Sequence, residues 1–180
     1  MNDLQKHYQD NVKPKLMEQF SVKNPMALPK ISKIIVNVGV KNATADKKNM
    51  EQAKEVVGLI TGQKPKVTKA KKSISSFKLR EGDAIGVVVT LRGKRMFTFL
   101  HKIIAVVLPR LRDFHGIKKT SFDPSGNYTF GFSEYTVFPE IDPGKFDKIQ
   151  GLEVTIVTTG KDKEQGLALL TALGMPFEKK

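Results

Sequence analysis

Between Thr61 and Arg80 the chain carries seven cations (Lys64, Lys66, Lys69, Lys71, Lys72, Lys78 and Arg80) and no Asp or Glu, and an apolar alternation follows at once. Ile85, Val87, Val89 and Leu91 fall on one face of a strand, and Gly86, Val88, Thr90 and Arg92 on the other. This juxtaposition limits what the chain can fold into. The alternation needs a sheet with one buried face, and so dense a positive run cannot enter that core. It predicts a hairpin, with a short strand from Lys66, a return strand from Ile85, and a long basic loop over about 72–84 protruding between them.

A lysine run is in most proteins a solvated face. Here the cations are interleaved with Thr68, Ala70, Ser73, Ser75, Ser76 and one aromatic, Phe77. That mixture suits phosphate contacts, 2′-hydroxyl bonding and base stacking. The whole chain repeats the imbalance, with 31 Lys and Arg against 18 Asp and Glu and a net charge of +13. Such a chain repels itself until phosphates neutralise it. A membrane partner is not expected: the longest aliphatic run, Ile103 to Leu108, is too short to span a bilayer. The polar start MNDLQKHYQD has neither a signal-peptide nor a transit-peptide pattern. Cysteine is absent, which rules out disulfides and thiolate metal sites and fits a cytoplasmic setting. The three histidines are scattered without ligand spacing, so no metal and no other cofactor is expected.

In chain order, Leu4, Tyr8, Val12, Leu16 and Phe20 fall four apart and predict a helix over 3–20, kinked or split by Pro14. Residues 30–40 predict a strand with Ile34, Val36, Val38 and Val40 inward and Ile35, Asn37, Gly39 and Lys41 outward. Asn37 and Gly39 sit where a two-sided core would want Val or Leu. A second helix starts near Asp46 as cap, buries Met50, Ala53, Val57 and Ile60, and stops at Gly62. Gly93 opens a third, to about Asp113, with Phe97, Leu100, Ile104, Val107 and Leu111 as its stripe and a kink expected at Pro109.

Asp123-Pro124 and Ser125-Gly126-Asn127 mark turns. Tyr128, Phe130 and Phe132 predict a strand whose aromatics read as core, with an RNA stacking platform as the alternative. A last strand, Leu152 to Thr159, faces Leu152, Val154 and Ile156 inward. Asp162 and Gln165 form a capping box for a final helix packed by Leu167, Leu170 and Leu173. The order predicts one domain, 1–180, of the α+β class: a mostly antiparallel sheet of about five strands, helices on one face and the other face open for RNA. Asn37, Gly39, Thr90 and Arg92 are the candidates to line that open face.

No enzyme constellation occurs. Gly58 and Gly62 are one residue short of a phosphate-binding loop and Gln63 follows them; G-x-G-x-x-G, G-x-S-x-G and H-E-x-x-H are absent. Glu134, Glu140 and Asp142 read as surface charges. Three function classes stay in view: a passive RNA-binding constituent, a broad nucleic-acid chaperone, and, disfavoured by the missing motifs, a phosphate-substrate enzyme.

The segments LPKISKIIVNVGV, ITGQKPKVTKAKKSISSFKLREG, VTLRGKRMFTFL, LPRLRDFHG, SFDPSGNY, FPEID and VTIVTTGKDKEQGLALLTALGMPF together resemble the bacterial large-subunit ribosomal protein number five family. The resemblance runs from about Leu4 to Phe177. It implies a non-enzymatic constituent of the large subunit in the cytoplasmic ribosome, one that anchors 5S rRNA to 23S rRNA in the central protuberance beside neighbouring proteins. Carried over by motif, the 5S-binding residues would be Asn37, Gly39, Gln63, Lys64, Thr90 and Arg92. A loop reaching peptidyl-site tRNA and rRNA would comprise Lys69, Lys71, Lys72, Ser73, Ser75, Ser76, Phe77, Lys78 and Arg80. A bridge to a small-subunit head protein would involve Arg112, Asp113, Phe114, Glu134 and Tyr135. His115 and Val38 depart from the residues usual in the family, and 132–135 is divergent.

Overall fold

The computed structural model describes residues 3–40, 47–112, 114–145 and 150–178. The elements come in the predicted order: α1 (Asp3–His7) running through a π turn (Tyr8–Val12) into α2 (Lys13–Gln19), then β1 (Ile31–Gly39), α3 (Lys47–Thr61), β2 (Lys66–Lys69) and β3 (Ala84–Leu91). After these come α4 (Gly93–Lys102), which continues through a second π turn (Ile103–Val107) into a 3-10 turn (Leu108–Arg110), β4 (Tyr128–Phe132), β5 (Leu152–Thr158) and α5 (Lys163–Ala172). The expected cap at Asp46 and the outward Lys41 lie outside the described residues.

The kinks expected at Pro14 and Pro109 take one form at both places. Proline has no N–H, and its ring crowds the carbonyl four residues back. One residue before each proline, the backbone bonds five residues back instead of four, Lys13 N–H to Tyr8 O and Leu108 N–H to Ile103 O. The widened turn makes room for the ring without ending the helix.

The strands form one five-stranded sheet in the order β2-β3-β1-β5-β4. Its neighbours run antiparallel. Lys66 pairs with Val88 and Thr68 with Gly86 between β2 and β3. Val40 N–H donates to Ile85 O beside β1 and β3. Between β1 and β5, Lys30 meets Thr159 and Asn37 meets Glu153. By internal contacts the chain separates into two compact units, one of residues 1–34, 91–130 and 155–180, the other of 35–90 and 131–154.

The first unit buries Leu16, Ile34, Leu100, Ile103, Leu108, Ile156, Leu169 and Leu170 almost completely. Each such side chain contributes about 1.5–3 kcal/mol. The α4 stripe differs from the expected one: Met96, Phe99, Leu100, Ile103, Val107 and Leu108 are buried, while Phe97, Ile104 and Leu111 are only half-buried. Phe97 and Ile104 border the buried stripe, and the π turn at Ile103–Val107 changes the period within the helix, so a constant 3.6-residue spacing misplaces the phase. In α5, Leu169 is buried and the expected Leu167 half-buried. The box at its start is also shifted: Asp162 accepts from Gln165 N–H at 2.8 Å, but the Gln165 side chain accepts from Lys161 N–H, not from Asp162.

The turn before β4 is held by side chains. Asp123 accepts from the Asn127 backbone and amide N–H groups, both at 2.7 Å, and Asn127 Oδ1 accepts from Thr158 N–H at 3.0 Å. The Asn127 amide holds the Asp123 carboxyl below its usual range. Tyr128 donates to Lys118 O at 2.9 Å, and burial, with the Glu178 charge adding, pushes its phenol up to about 12. Its ring sits against Phe122, Phe130 and Phe177, so it is core, as read from the sequence.

The second unit buries Val36, Val38 and Val40, Val87 and Val89, and Leu152 and Val154 from its strands. It also buries all four expected α3 residues, together with Val56. Val38 and Leu152 line one small cavity with Ala53, Val56 and Val57, which puts α3 over this side of the strands. Gly62 ends α3 at φ 64°, the left-handed geometry that glycine adopts without strain. Ile85 was expected inward but is 36% exposed. The register shifts between Thr68 and Lys69, so that Thr68 faces Gly86 and Lys69 faces Ala84. Ile85 is the extra residue of that bulge and turns outward.

Candidate nucleic-acid interface

In the second unit the strand side away from α3 is uncovered, for a reason visible in the sequence. With Val36 and Val38 inward, the pleat sends Asn37 and Gly39 outward, and with Val87 and Val89 inward it sends Val88 and Thr90 outward. Asn37 is half-buried, while Gly39 and Thr90 are exposed. Gln63, just past the stop at Gly62, donates its side-chain amide to Thr90 O at 3.1 Å. That bond ties the α3–β2 turn to β3 and fixes Gln63 and Thr90 as one group. Lys64 and Lys66 are exposed at the β2 edge of the same unit. Arg92, two residues beyond Thr90, belongs to the first unit, where it is exposed at the start of α4.

The glycines of this side differ. A Cβ on Gly39 would meet nothing of the chain within 4 Å. On Gly86 it would stand 2.6 Å from Val38 O, too close for a backbone atom, and a tight 3.0 Å from Thr68 Oγ1. Gly86 is thus required by strand packing, whereas the space over Gly39 is open.

Three outward groups of this unit were not among the residues expected to line the open face: Lys66 and Thr68, read from the sequence only as part of the basic stretch, and Glu153. The pairing of Lys66 with Val88 and Thr68 with Gly86 puts the first two on the Thr90 side. Glu153 follows from the alternation of β5, where Leu152 and Val154 are buried around it. Its carboxylate accepts from Asn37 Nδ2 at 3.4 Å.

The basic loop is bonded to itself. Ala70 N–H donates to Asp83 O at 2.8 Å and Gly82 N–H to Ala70 O at 3.0 Å, closing its base. Ile74 and Leu79 exchange bonds at 2.9 and 3.1 Å around a 3-10 turn (Ser75–Phe77), with Lys78 left-handed at φ 51°. Ser73 Oγ accepts from Glu81 N–H at 2.9 Å, and the Asp83 carboxylate accepts from Arg80 N–H at 2.8 Å. The backbone needs are met inside, and Lys69, Lys71, Lys72, Ser73, Ser75, Ser76, Lys78 and Arg80 are all exposed. Phe77 is 76% exposed, an aromatic left in water among cations.

Of the bridge residues, Arg112 and Glu134 are exposed and Phe114 half-buried, while Asp113 lies outside the described residues. Tyr135 corrects its expectation as a surface contact. Only 5% of it is exposed, and it lines the cavity under α3 because the 3-10 turn Tyr135–Val137 turns it inward. Among the described residues no group of His, Cys, Asp or Glu could hold a metal ion, and no helix is long and apolar enough to cross a membrane.

Fold and surface define a class: a strongly basic α+β protein with uncovered strands and a self-closed cationic loop. Relatives give the particular family. The family model described as ribosomal protein L5 matches residues 24–80, and the model described as the C-terminus of the same ribosomal family matches 84–177. The chain is 52% identical over 178 residues to the large ribosomal subunit protein uL5 of Limosilactobacillus reuteri (strain DSM 20016), covering 99% of both chains. It is 53% identical, with the same coverage, to the proteins of that name from Streptococcus suis (strain 05ZYH33) and Streptococcus pneumoniae (strain Hungary19A-6). The chain belongs to the ribosomal protein L5 family, which is a family of structural ribosomal proteins and not of enzymes.

Proposed function

We propose that this chain is a structural constituent of the large subunit of the cytoplasmic ribosome. In this reading it binds 5S rRNA and attaches it to 23S rRNA in the central protuberance, among neighbouring large-subunit proteins. The 5S rRNA lies on the uncovered strands, where Asn37, Gln63 and Thr90 read a folded, non-helical loop by hydrogen bonding, Gly39 allows close approach, and Lys64 and Arg92 take phosphates. The loop from Lys69 to Arg80 contacts peptidyl-site tRNA and rRNA. The exposed Arg112 and Glu134 belong to surfaces that bridge to a small-subunit head protein.

The observation that carries this reading is the uncovered, neutral polar surface at Asn37, Gly39 and Thr90 in a chain of charge +13. A protein that only needed neutralising would not leave neutral hydrogen-bonding groups on the side of its sheet away from the helix. Substituting Asn37→Ala together with Thr90→Ala is expected to weaken 5S rRNA binding by about 1–3 kcal/mol with a nearly unchanged salt slope, because neutral hydrogen bonds release no counterions. Titration of the purified chain with 5S rRNA at several salt concentrations checks this. An unaltered affinity removes the strand-face site. Full competition by bulk tRNA would favour a broad nucleic-acid chaperone instead.

A further inference from the structure

Glu153 is out of keeping with its surroundings. It lies in the outward phase of β5, exposed, on the side of the strands that also presents Asn37 and Thr90. Its contact is the Asn37 amide at 3.4 Å, and among the described residues it forms no ion pair. A carboxylate without a cation disfavours any approaching phosphate, so for a face meant simply to attract a polyanion it is the wrong residue.

We propose that Glu153 is a specificity-determining residue of this face, setting which side of the RNA may lie over β1 and β5. The inference rests on the reading of the face as a 5S rRNA site. Only the N–H side of an amide can face a carboxylate, so the contact turns Asn37 Oδ1 away from Glu153 and outward. Around Asn37 and Glu153 the face then presents acceptors: Asn37 Oδ1 and the carboxylate oxygens. Base amino groups, ring N–H groups and ribose 2′-hydroxyls can donate to them, and a phosphate cannot. The β2 edge carries the opposite chemistry in Lys64 and Lys66, three strand spacings from β5 or about 14 Å. The face is therefore polar in one direction. Backbone phosphates go to β2 and base or ribose donors to the Asn37–Glu153 pair, and a strand laid the other way puts phosphate on Glu153.

The test compares Glu153→Gln with Glu55→Gln, an equal change of charge at an exposed α3 residue of the same unit. Affinities of the full chain for 5S rRNA and for bulk tRNA are measured at one salt concentration. Glu55→Gln is expected to shift both RNAs by the same small factor. Glu153→Gln is expected to tighten tRNA and weaken 5S rRNA, so that preference for 5S rRNA falls about tenfold, or about 1.4 kcal/mol. An unchanged preference overturns the proposal, as does a tightening of both RNAs by one factor. A lowered melting temperature with preference intact also overturns it, since Glu153 would then serve only the fold. If the unsubstituted chain shows no preference for 5S rRNA, the functional reading itself falls and this inference with it. A preference present in that chain and kept in Glu153→Gln removes this inference alone.

Discussion

At the scale of single residues, two glycines on the same side of the strands separate what the fold needs from what a ligand needs. Gly39 has open space where a Cβ would go, so Gly39→Ala is expected to leave stability unchanged or raise it by about 0.4–1 kcal/mol through the unfolded chain. If RNA comes close there, the same methyl weakens 5S rRNA binding. Gly86→Ala drives a Cβ against the Val38 carbonyl and is expected to cost about 1–3 kcal/mol of stability. Urea unfolding of both variants, with 5S rRNA titration of the first, checks the pair. A stable Gly39→Ala that binds RNA normally would mean that the approach is not close. The sequence showed Asn37, Gly39 and Thr90 as outward because period-2 alternation needs no knowledge of neighbouring strands. It could not show the crowding at Gly86 or the partner of Asn37, because both depend on which residues stand opposite. The outward phase of Glu153 follows from the same alternation, since it stands between the inward Leu152 and Val154.

At the scale of elements, all five strands were legible, and so were the caps and stops at Gly62 and Asp162. The phase of α4 was not, because its buried stripe is flanked by the further apolar residues Phe97, Ile104 and Leu111, and the π turn at Ile103–Val107 shifts the helical period within it. The basic loop shows another limit. Composition gave its charge but not its internal rungs between Ile74 and Leu79 or its closure through Ser73 and Asp83. These backbone bonds leave the lysine side chains outward, so they contribute charge and little stability. Lys71→Ala with Lys72→Ala is therefore expected to leave the melting temperature and the affinity for isolated 5S rRNA largely intact, while weakening contact with peptidyl-site tRNA in assembled ribosomes. Binding of 5S rRNA in solution and footprinting of tRNA on ribosomes carrying the variant measure the two effects. A large loss of 5S affinity would assign the loop to 5S rRNA.

At the scale of the whole molecule, the two family matches abut near residues 80–84, within the loop that joins β2 to β3. That boundary is no folding boundary, because β2 and β3 are hydrogen-bonded to each other across it. The two compact units divide the chain differently, and the chain passes between them at 34–35, 90–91, 130–131 and 154–155. Each of those crossings falls inside a strand, so unfolding of either unit frays strands of the other. Because the chain is continuous within each of these four strands, we expect residues 1–180 to unfold as one cooperative domain. The three tyrosines provide probes, with Tyr8 and Tyr128 in the first unit and Tyr135 in the second. A Tyr135→Phe chain reports by fluorescence on the first unit, a chain with Tyr8→Phe and Tyr128→Phe reports on the second, and far-ultraviolet circular dichroism reports on both. Within each variant, the fluorescence and dichroism urea midpoints should coincide. Two resolved midpoints in one variant would mean that the units fold separately and that the continuous strands do not couple them.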